Sequence, residues 1–294
     1  MGMKKFRGSM VALVTPFREG AVDWSALAQM VGMHLKAGTD ALVPCGTTGE
    51  SPTLTHAEHD RVIEEVIRLS AGKIPVLAGT GSNSTAEAVR LTKHALSAGA
   101  DGALQVAPYY NKPTQEGLYR HFAALAEAAD FPHVLYNIPG RCGVEISVAT
   151  IARLRNDYPH VVAVKHATGS MDGASELSVT CDIDIISGDD SMTLPLMVLG
   201  GVGVISVLAN LIPNDTKALT DAALAGDWAT ALDLHRRTFA LAKGLLSIET
   251  NPIPIKTAMA MRGLIAEEFR LPLCPMASEN RTKLEEQLRR YGVL

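Results

Sequence analysis

Lys165 follows four small or β-branched apolar residues, Val161-Val162-Ala163-Val164, and precedes His166-Ala167-Thr168-Gly169. Such a run reads as a strand buried on both faces, where an ammonium is poorly tolerated. Two explanations are open. A carboxylate neutralises the charge in a structural ion pair, or burial lowers the pKa until the neutral amine serves as a nucleophile.

Other polar clusters also follow apolar runs. Gly46-Thr47-Thr48-Gly49-Glu50-Ser51 offers hydroxyls and free amides that can hold a carboxylate, or simply a glycine turn before a capped helix. Pro108-Tyr109-Tyr110-Asn111-Lys112-Pro113 and Tyr136-Asn137-Ile138-Pro139-Gly140-Arg141 bring phenols that either fill space or move protons. Ser187-Gly188-Asp189-Asp190 reads as a helix N-cap or as part of a site. A neutral amine, a carboxylate cradle and a phenolic proton relay together describe Schiff-base chemistry on a small keto acid.

The elements that position them alternate. Apolar runs at Ser9–Val14, Ala41–Pro44, Pro75–Gly79, Gly102–Ala107, His133–Asn137, Val161–Lys165, Ile183–Ser187 and Val202–Val207 are separated by segments of helical spacing. Among the latter are Trp24–Lys36, His56–Leu69, Thr85–Ser97, Gln115–Ala129 and Met192–Leu199. Eight strands, each followed by a helix, predict an α/β fold of the (β/α)8 TIM-barrel type, with chemistry at the C-terminal strand ends. A doubly wound sheet wants a glycine-rich turn after its first strand, and Val14-Thr15-Pro16-Phe17 supplies none. The barrel is expected over residues 1–225. A C-terminal helical region is expected over 226–294, with helices at Trp228–Leu246, Ile255–Met261 and Glu279–Tyr291.

Composition agrees with that architecture. The 294 residues are 47% hydrophobic, 20% charged and only 5% aromatic, which suits an aliphatic core between strands and helices. The net charge is −4, and the basic residues cluster only in pairs such as Lys4-Lys5, Arg236-Arg237 and Arg289-Arg290, so no nucleic-acid partner is expected. Cys45, Cys142, Cys181 and Cys274 lie apart, without metal-ligand spacing, and neither metal nor cofactor is expected. No apolar run approaches the roughly 20 residues of a membrane span, and Met1 to Phe6 lack a signal-peptide stretch. A cytoplasmic location without membrane partners is the expectation.

The sequence resembles the dihydrodipicolinate synthase family, within the N-acetylneuraminate lyase superfamily of class I aldolases. The likeness runs nearly end to end. It rests on Gly46 to Glu50, Pro108 to Pro113, Tyr136 to Pro139 with Arg141, Lys165 to Gly169, Ser187 to Asp190, and Glu249 to Pro254 with Lys256. The resemblance implies a condensation of pyruvate with L-aspartate 4-semialdehyde in lysine (diaminopimelate) biosynthesis. It implies that Lys165 forms the imine and that Tyr136 relays protons. Thr47 would link Tyr136 to Tyr110, which in this family reaches across a dimer interface. Thr48 would hold the pyruvate carboxylate and Arg141 the semialdehyde carboxylate, while Gly188 and Ile205 would line the lysine. A homotetramer built as a dimer of dimers is also implied.

Sister families that cleave sialic acid or keto-deoxy sugar acids share the lysine, the tyrosine and the threonine-glycine loop, so a retro-aldol lyase is the alternative; Arg141 favours the synthase. Ser51, His56, His59, Asn83, Glu87 and Tyr109 match residues that bind lysine in feedback-inhibited relatives, although two histidines on a solvated helix face would explain His56 and His59 equally. Two departures from the family pattern are His166, where an acidic residue is more usual, and Cys142 beside Arg141.

Overall fold

The computed structural model describes residues 6–294; the Lys4-Lys5 pair and most of the segment read for a signal peptide lie outside the described residues. Eight parallel strands form one sheet: β1 (Gly8–Ala12), β2 (Ala41–Val43), β3 (Leu77–Gly79), β4 (Gly102–Val106), β5 (His133–Asn137), β6 (Val161–His166), β7 (Asp184–Ser187) and β8 (Gly203–Ser206). Their order is β2-β1-β8-β7-β6-β5-β4-β3, and a parallel bridge between Leu42 and Val76 joins the two ends into the predicted barrel. β3 starts two residues later than its apolar run. Pro75 has no N–H to give the ladder, and its carbonyl accepts the Leu42 N–H instead at 2.9 Å.

Alternation along the strands sorts side chains between two cores. Met10, Ala12, Val43, Leu77, Leu104, Val134, Tyr136, Ala163, Ile186 and Ile205 fill the barrel interior. Val161 and Val164 join Leu118, Phe122, Ile151 and Leu177 in the layer beneath the helices. Lys165, in phase with Ala163, therefore belongs to the interior, whereas His166, in phase with Val164, belongs to the helix side.

The helices begin where the loops supply caps. Thr55 and Glu58 form a capping box at His56–Ser70, and Ser84, Thr114, Ser147 and Ser170 each accept a backbone N–H at the next helices. Helical spacing does not single out Val148–Asp157 or Met171–Thr180. Each is ten residues long and buries only two apolar side chains, Ile151 with Leu154 and Ala174 with Leu177. Beyond the last barrel helix, Pro213–Leu224, come Trp228–Ser247, Ile253–Met261 and Ser278–Tyr291. Ile253–Met261 starts before the predicted Ile255 because Pro254 sits in the first turn, where a missing N–H costs nothing. Leu241, Leu245, Ile255, Met259 and Leu284 continue the apolar cluster that also holds Leu13, Leu27 and Val62. No helix of the described residues is long and apolar enough to cross a membrane.

Candidate active site

Lys165 is the next-to-last residue of β6, and Tyr136 is its register partner on β5. The lysine Nζ stands 4.1 Å from the centre of the tyrosine ring. Both side chains are buried. Burial brings the Lys165 amine down to about 7, with Asp190 pulling upward and Arg141 downward. Burial pushes the Tyr136 phenol up to about 12, against the opposing influences of Arg141 and a hydrogen bond from Thr47. The pair thus combines an amine with a large neutral fraction at neutral pH and a phenol that keeps its proton. Such an amine can act as a nucleophile and such a phenol as a proton donor.

The sixth and seventh strands pack closely around the lysine. Ile186 on β7 is its second register partner, and Gly188 follows two residues later. A Cβ on Gly188 would lie 2.7 Å from the Ala167 Cβ and 3.1 Å from Lys165 Cε, so only glycine admits the lysine stem here. Ile205, fully buried on β8, belongs to the same interior cluster as Tyr136. The helix-cap reading of this segment holds for Asp189, which accepts the Ser191 N–H at 2.9 Å. Asp190 does something else: it is buried, and its Oδ2 accepts the Val207 and Leu208 N–H groups at 2.9 and 3.0 Å.

The carboxylate-binding candidates are tied together by a residue in the C-terminal region. Asn251 Nδ2 donates to Thr48 Oγ1 at 3.1 Å, which leaves the Thr48 hydroxyl proton free for another acceptor. The Asn251 carbonyl accepts from Arg141 Nη2 at 2.8 Å, holding the exposed guanidinium at one corner. Sequence reading assigned Asn251 no part. Both of its partners lie more than a hundred residues earlier in the chain, and its only local mark is its place in the Glu249-Thr250-Asn251-Pro252 turn.

Tyr110 is not brought to Thr47 or Tyr136 within one chain. Its side chain is 89% exposed, on backbone with a φ of +73°. The residues matched to a lysine site do gather. A cavity of about 470 Å³ extends from Tyr136, Thr47 and Arg141 past Cys45 and Cys142 to Ser51, His56, His59, Glu87 and Tyr109. Tyr136, whose ring centre lies 4.1 Å from Lys165 Nζ, links the lysine to this cavity. Asn83 donates to the Tyr109 carbonyl at 3.2 Å. His56 Nε2 lies 2.7 Å from Glu87, whose carboxyl is held below its usual range by the Ser82 hydroxyl and then by His56. His59 is not on a solvated face: it is buried, and burial lowers its imidazole to about 4, so the ring is neutral.

His166 also finds its place. From the helix side of β6 its Nε2 lies 2.9 Å from both the Ser170 carbonyl and the Thr168 hydroxyl. It fastens the turn that leads from Lys165 into the helix Met171–Thr180. An outward-facing residue of this kind shapes the loop and not the interior.

Residues 5–291 match the model of the dihydrodipicolinate synthetase family. The 4-hydroxy-tetrahydrodipicolinate synthase of Pelobacter propionicus is 53% identical over 291 residues, covering 98% of this chain and all of the relative. The crystal structure of dihydrodipicolinate synthase from Aquifex aeolicus superposes with a TM-score of 0.96 at 52% identity, over 98% of this chain and 99% of that one. Two liganded structures are also similar. The chloride-inhibited dihydrodipicolinate synthase from Acinetobacter baumannii, complexed with pyruvate, has a TM-score of 0.95 at 45% identity, over 99% of this chain and all of its own. The Cyanidioschyzon merolae enzyme with lysine bound has a TM-score of 0.95 at 39% identity, with the same coverage.

Proposed function

The chain belongs to the dihydrodipicolinate synthetase family, and from that membership we propose that it condenses pyruvate with L-aspartate 4-semialdehyde through an imine on Lys165. The observation that carries this reading is the pairing of Lys165 and Tyr136 in a closed barrel interior, with the amine brought to about 7 by burial.

The steps follow from the residues present. Neutral Lys165 adds through Nζ to the pyruvate ketone carbon, forming the C–N bond of a carbinolamine. The former carbonyl oxygen leaves as water after taking one proton from the amine and one through the Tyr136 phenol, and an iminium remains. That cation draws electrons from the neighbouring methyl, which loses a proton to give an enamine. The enamine carbon attacks the aldehyde of the second substrate. The substrate's own amine then attacks the iminium carbon, closing the ring and expelling Lys165. Thr48 offers a hydroxyl proton to the pyruvate carboxylate, and Arg141 offers a planar fork to the carboxylate of the semialdehyde.

Three further readings belong to the proposal. Tyr110, exposed in the single chain, serves the site of a second copy, which makes at least a dimer necessary and fits the dimer of dimers implied by the family resemblance. The cluster of Ser51, His56, His59, Asn83, Glu87 and Tyr109 binds L-lysine, the ionised Glu87 facing its ammonium; the lysine-bound relative supports this. The enzyme works in the cytoplasm, where Cys45, Cys142, Cys181 and Cys274, all free thiols, stay reduced.

A substrate panel tests the function. Purified protein is expected to consume pyruvate only with aspartate semialdehyde present and to leave N-acetylneuraminate and 2-keto-3-deoxygluconate intact. Cleavage of either sugar acid, without turnover of the semialdehyde, would replace the synthase by a lyase.

A further inference from the structure

One buried carboxylate takes no part in the steps above. Asp190 lies two residues beyond Gly188, the glycine packed against the Lys165 stem, and is itself 8% exposed. Its Oδ1 accepts the Ser206 hydroxyl, and its Oδ2 accepts the Val207 and Leu208 N–H groups. Among the described residues it forms no ion pair. Three neutral donors could hold a neutral side chain as well, so a carboxylate at this depth is an excess charge that burial penalises. The charge is accounted for if a cation arises nearby during the reaction. Iminium formation creates one, on the nitrogen of the lysine that Gly188 packs against.

We propose that Asp190 is a positioning residue for the imine chemistry: its fixed negative charge stabilises the iminium on Lys165, while its three hydrogen bonds tie the loop after β7 to Ser206, the last residue of β8, and to Val207 and Leu208 just beyond it. The inference rests on the aldolase reading given above. Burial raises the Asp190 carboxyl to about 6, opposed by Ser206 and the backbone donors, so it is charged at neutral pH. Asp190 is also the first upward influence on the Lys165 amine. The other ionisable groups acting on this pair are Arg141, which opposes the lysine cation, and Asp189, which opposes ionisation of Asp190.

Asp190→Asn separates charge from shape. The amide oxygen can accept both backbone N–H groups, and the amide nitrogen can donate to Ser206 Oγ, which already accepts the Ala209 N–H at 2.8 Å and has a second lone pair. The experiment is borohydride trapping of pyruvate on the full-length enzyme as a function of pH, with melting temperature as the check on folding. Removing the carboxylate lowers the Lys165 pKa. The acid limb of trapping is therefore expected to move to lower pH by about 1 unit or more, while the plateau yield at limiting pyruvate falls about tenfold. A purely structural role would lower the yield without moving the limb. Asp189→Asn, on the same loop, removes a charge that opposes Asp190 ionisation and is expected to move the limb the opposite way, slightly to higher pH. Should Asp190→Asn fail to fold, Ser206→Ala carries the test: loss of one donor weakens the carboxylate's ionisation, and the limb is expected to move the same way by a smaller amount. An unmoved limb in Asp190→Asn, or in Ser206→Ala where that variant is needed, overturns the proposal. Failure of the unaltered enzyme to trap pyruvate overturns the aldolase reading and this inference with it.

Discussion

Glu50 and Lys256, 206 residues apart in the chain, form an ion pair in which neither side chain meets solvent. Glu50 ends the Gly46-Thr47-Thr48-Gly49 loop on left-handed backbone, with a φ of +52°. Its second oxygen accepts the Arg270 N–H at 3.2 Å. Lys256, on the helix Ile253–Met261, is flanked by Phe17 and Phe269, with ring centres 4.3 and 5.1 Å from Nζ. The C-terminal region thereby grips the loop that carries Thr47 and Thr48. Lys256→Met leaves a buried carboxylate without its partner. The expected loss is about 3–5 kcal/mol of unfolding free energy in urea, with most of it regained in the Glu50→Gln/Lys256→Met double variant. A single-variant loss below about 1 kcal/mol would show the pair to be dispensable.

The carboxylate-holding roles proposed for Thr48 and Arg141 can be separated by mutation. Asn251→Ala keeps the backbone carbonyl that Arg141 uses and removes the amide that orients Thr48. It should raise the KM for pyruvate about 2- to 10-fold, the worth of one ordinary hydrogen bond, and spare that for the semialdehyde. Arg141→Ala should do the converse. It is expected to cost about 10- to 150-fold in kcat/KM for the semialdehyde while pyruvate still forms its adduct. Equal losses for both substrates in either variant would contradict the assignment.

The pH dependence has a stated sign. In the proposed mechanism only the neutral Lys165 amine attacks, and burial brings it down to about 7, so imine formation should fall tenfold per unit below that pH and level off above it. The Tyr136 phenol, pushed up to about 12, keeps its proton through pH 9 and should impose no alkaline limb there. Tyr136→Phe should slow adduct formation about 10²- to 10⁴-fold without abolishing it. Stopped-flow measurement across pH 5–9 checks both statements, and an alkaline limb that vanishes in Tyr136→Phe would place the phenol's pKa elsewhere.

Feedback by lysine is checked by steady-state assays at saturating pyruvate. Millimolar-range L-lysine should lower the rate, and Glu87→Ala, which removes the carboxylate meant for the ligand's ammonium, should abolish the effect while basal turnover persists. An unchanged rate of the unaltered enzyme at saturating lysine would sink this site.

The eight strands are legible in the sequence because parallel strands covered on both faces must be apolar nearly throughout. Lys165 is legible for the same reason: a charge inside such a run stands out. What the sequence hides is pairing over distance. Nothing local to Glu50 points to Lys256, nor to Asn251 from Thr48. Asp190 sits in a motif that equally describes a helix cap, and only the fold shows that Asp189 does the capping while Asp190 turns toward β8. His59 lies three residues from the exposed His56, yet the packing of its helix against the barrel buries one and leaves the other in solvent. The short hairpin of Phe17–Arg18 with Ala21–Val22 has strands too brief for any periodicity to register.

The most direct measurement is the position of the covalent link. Treating the enzyme with pyruvate and borohydride, then mapping the modified peptide by mass spectrometry, should give one reduced adduct, on Lys165, that disappears in Lys165→Ala. No adduct, or one on Lys112, Lys256 or any other lysine, would contradict the account.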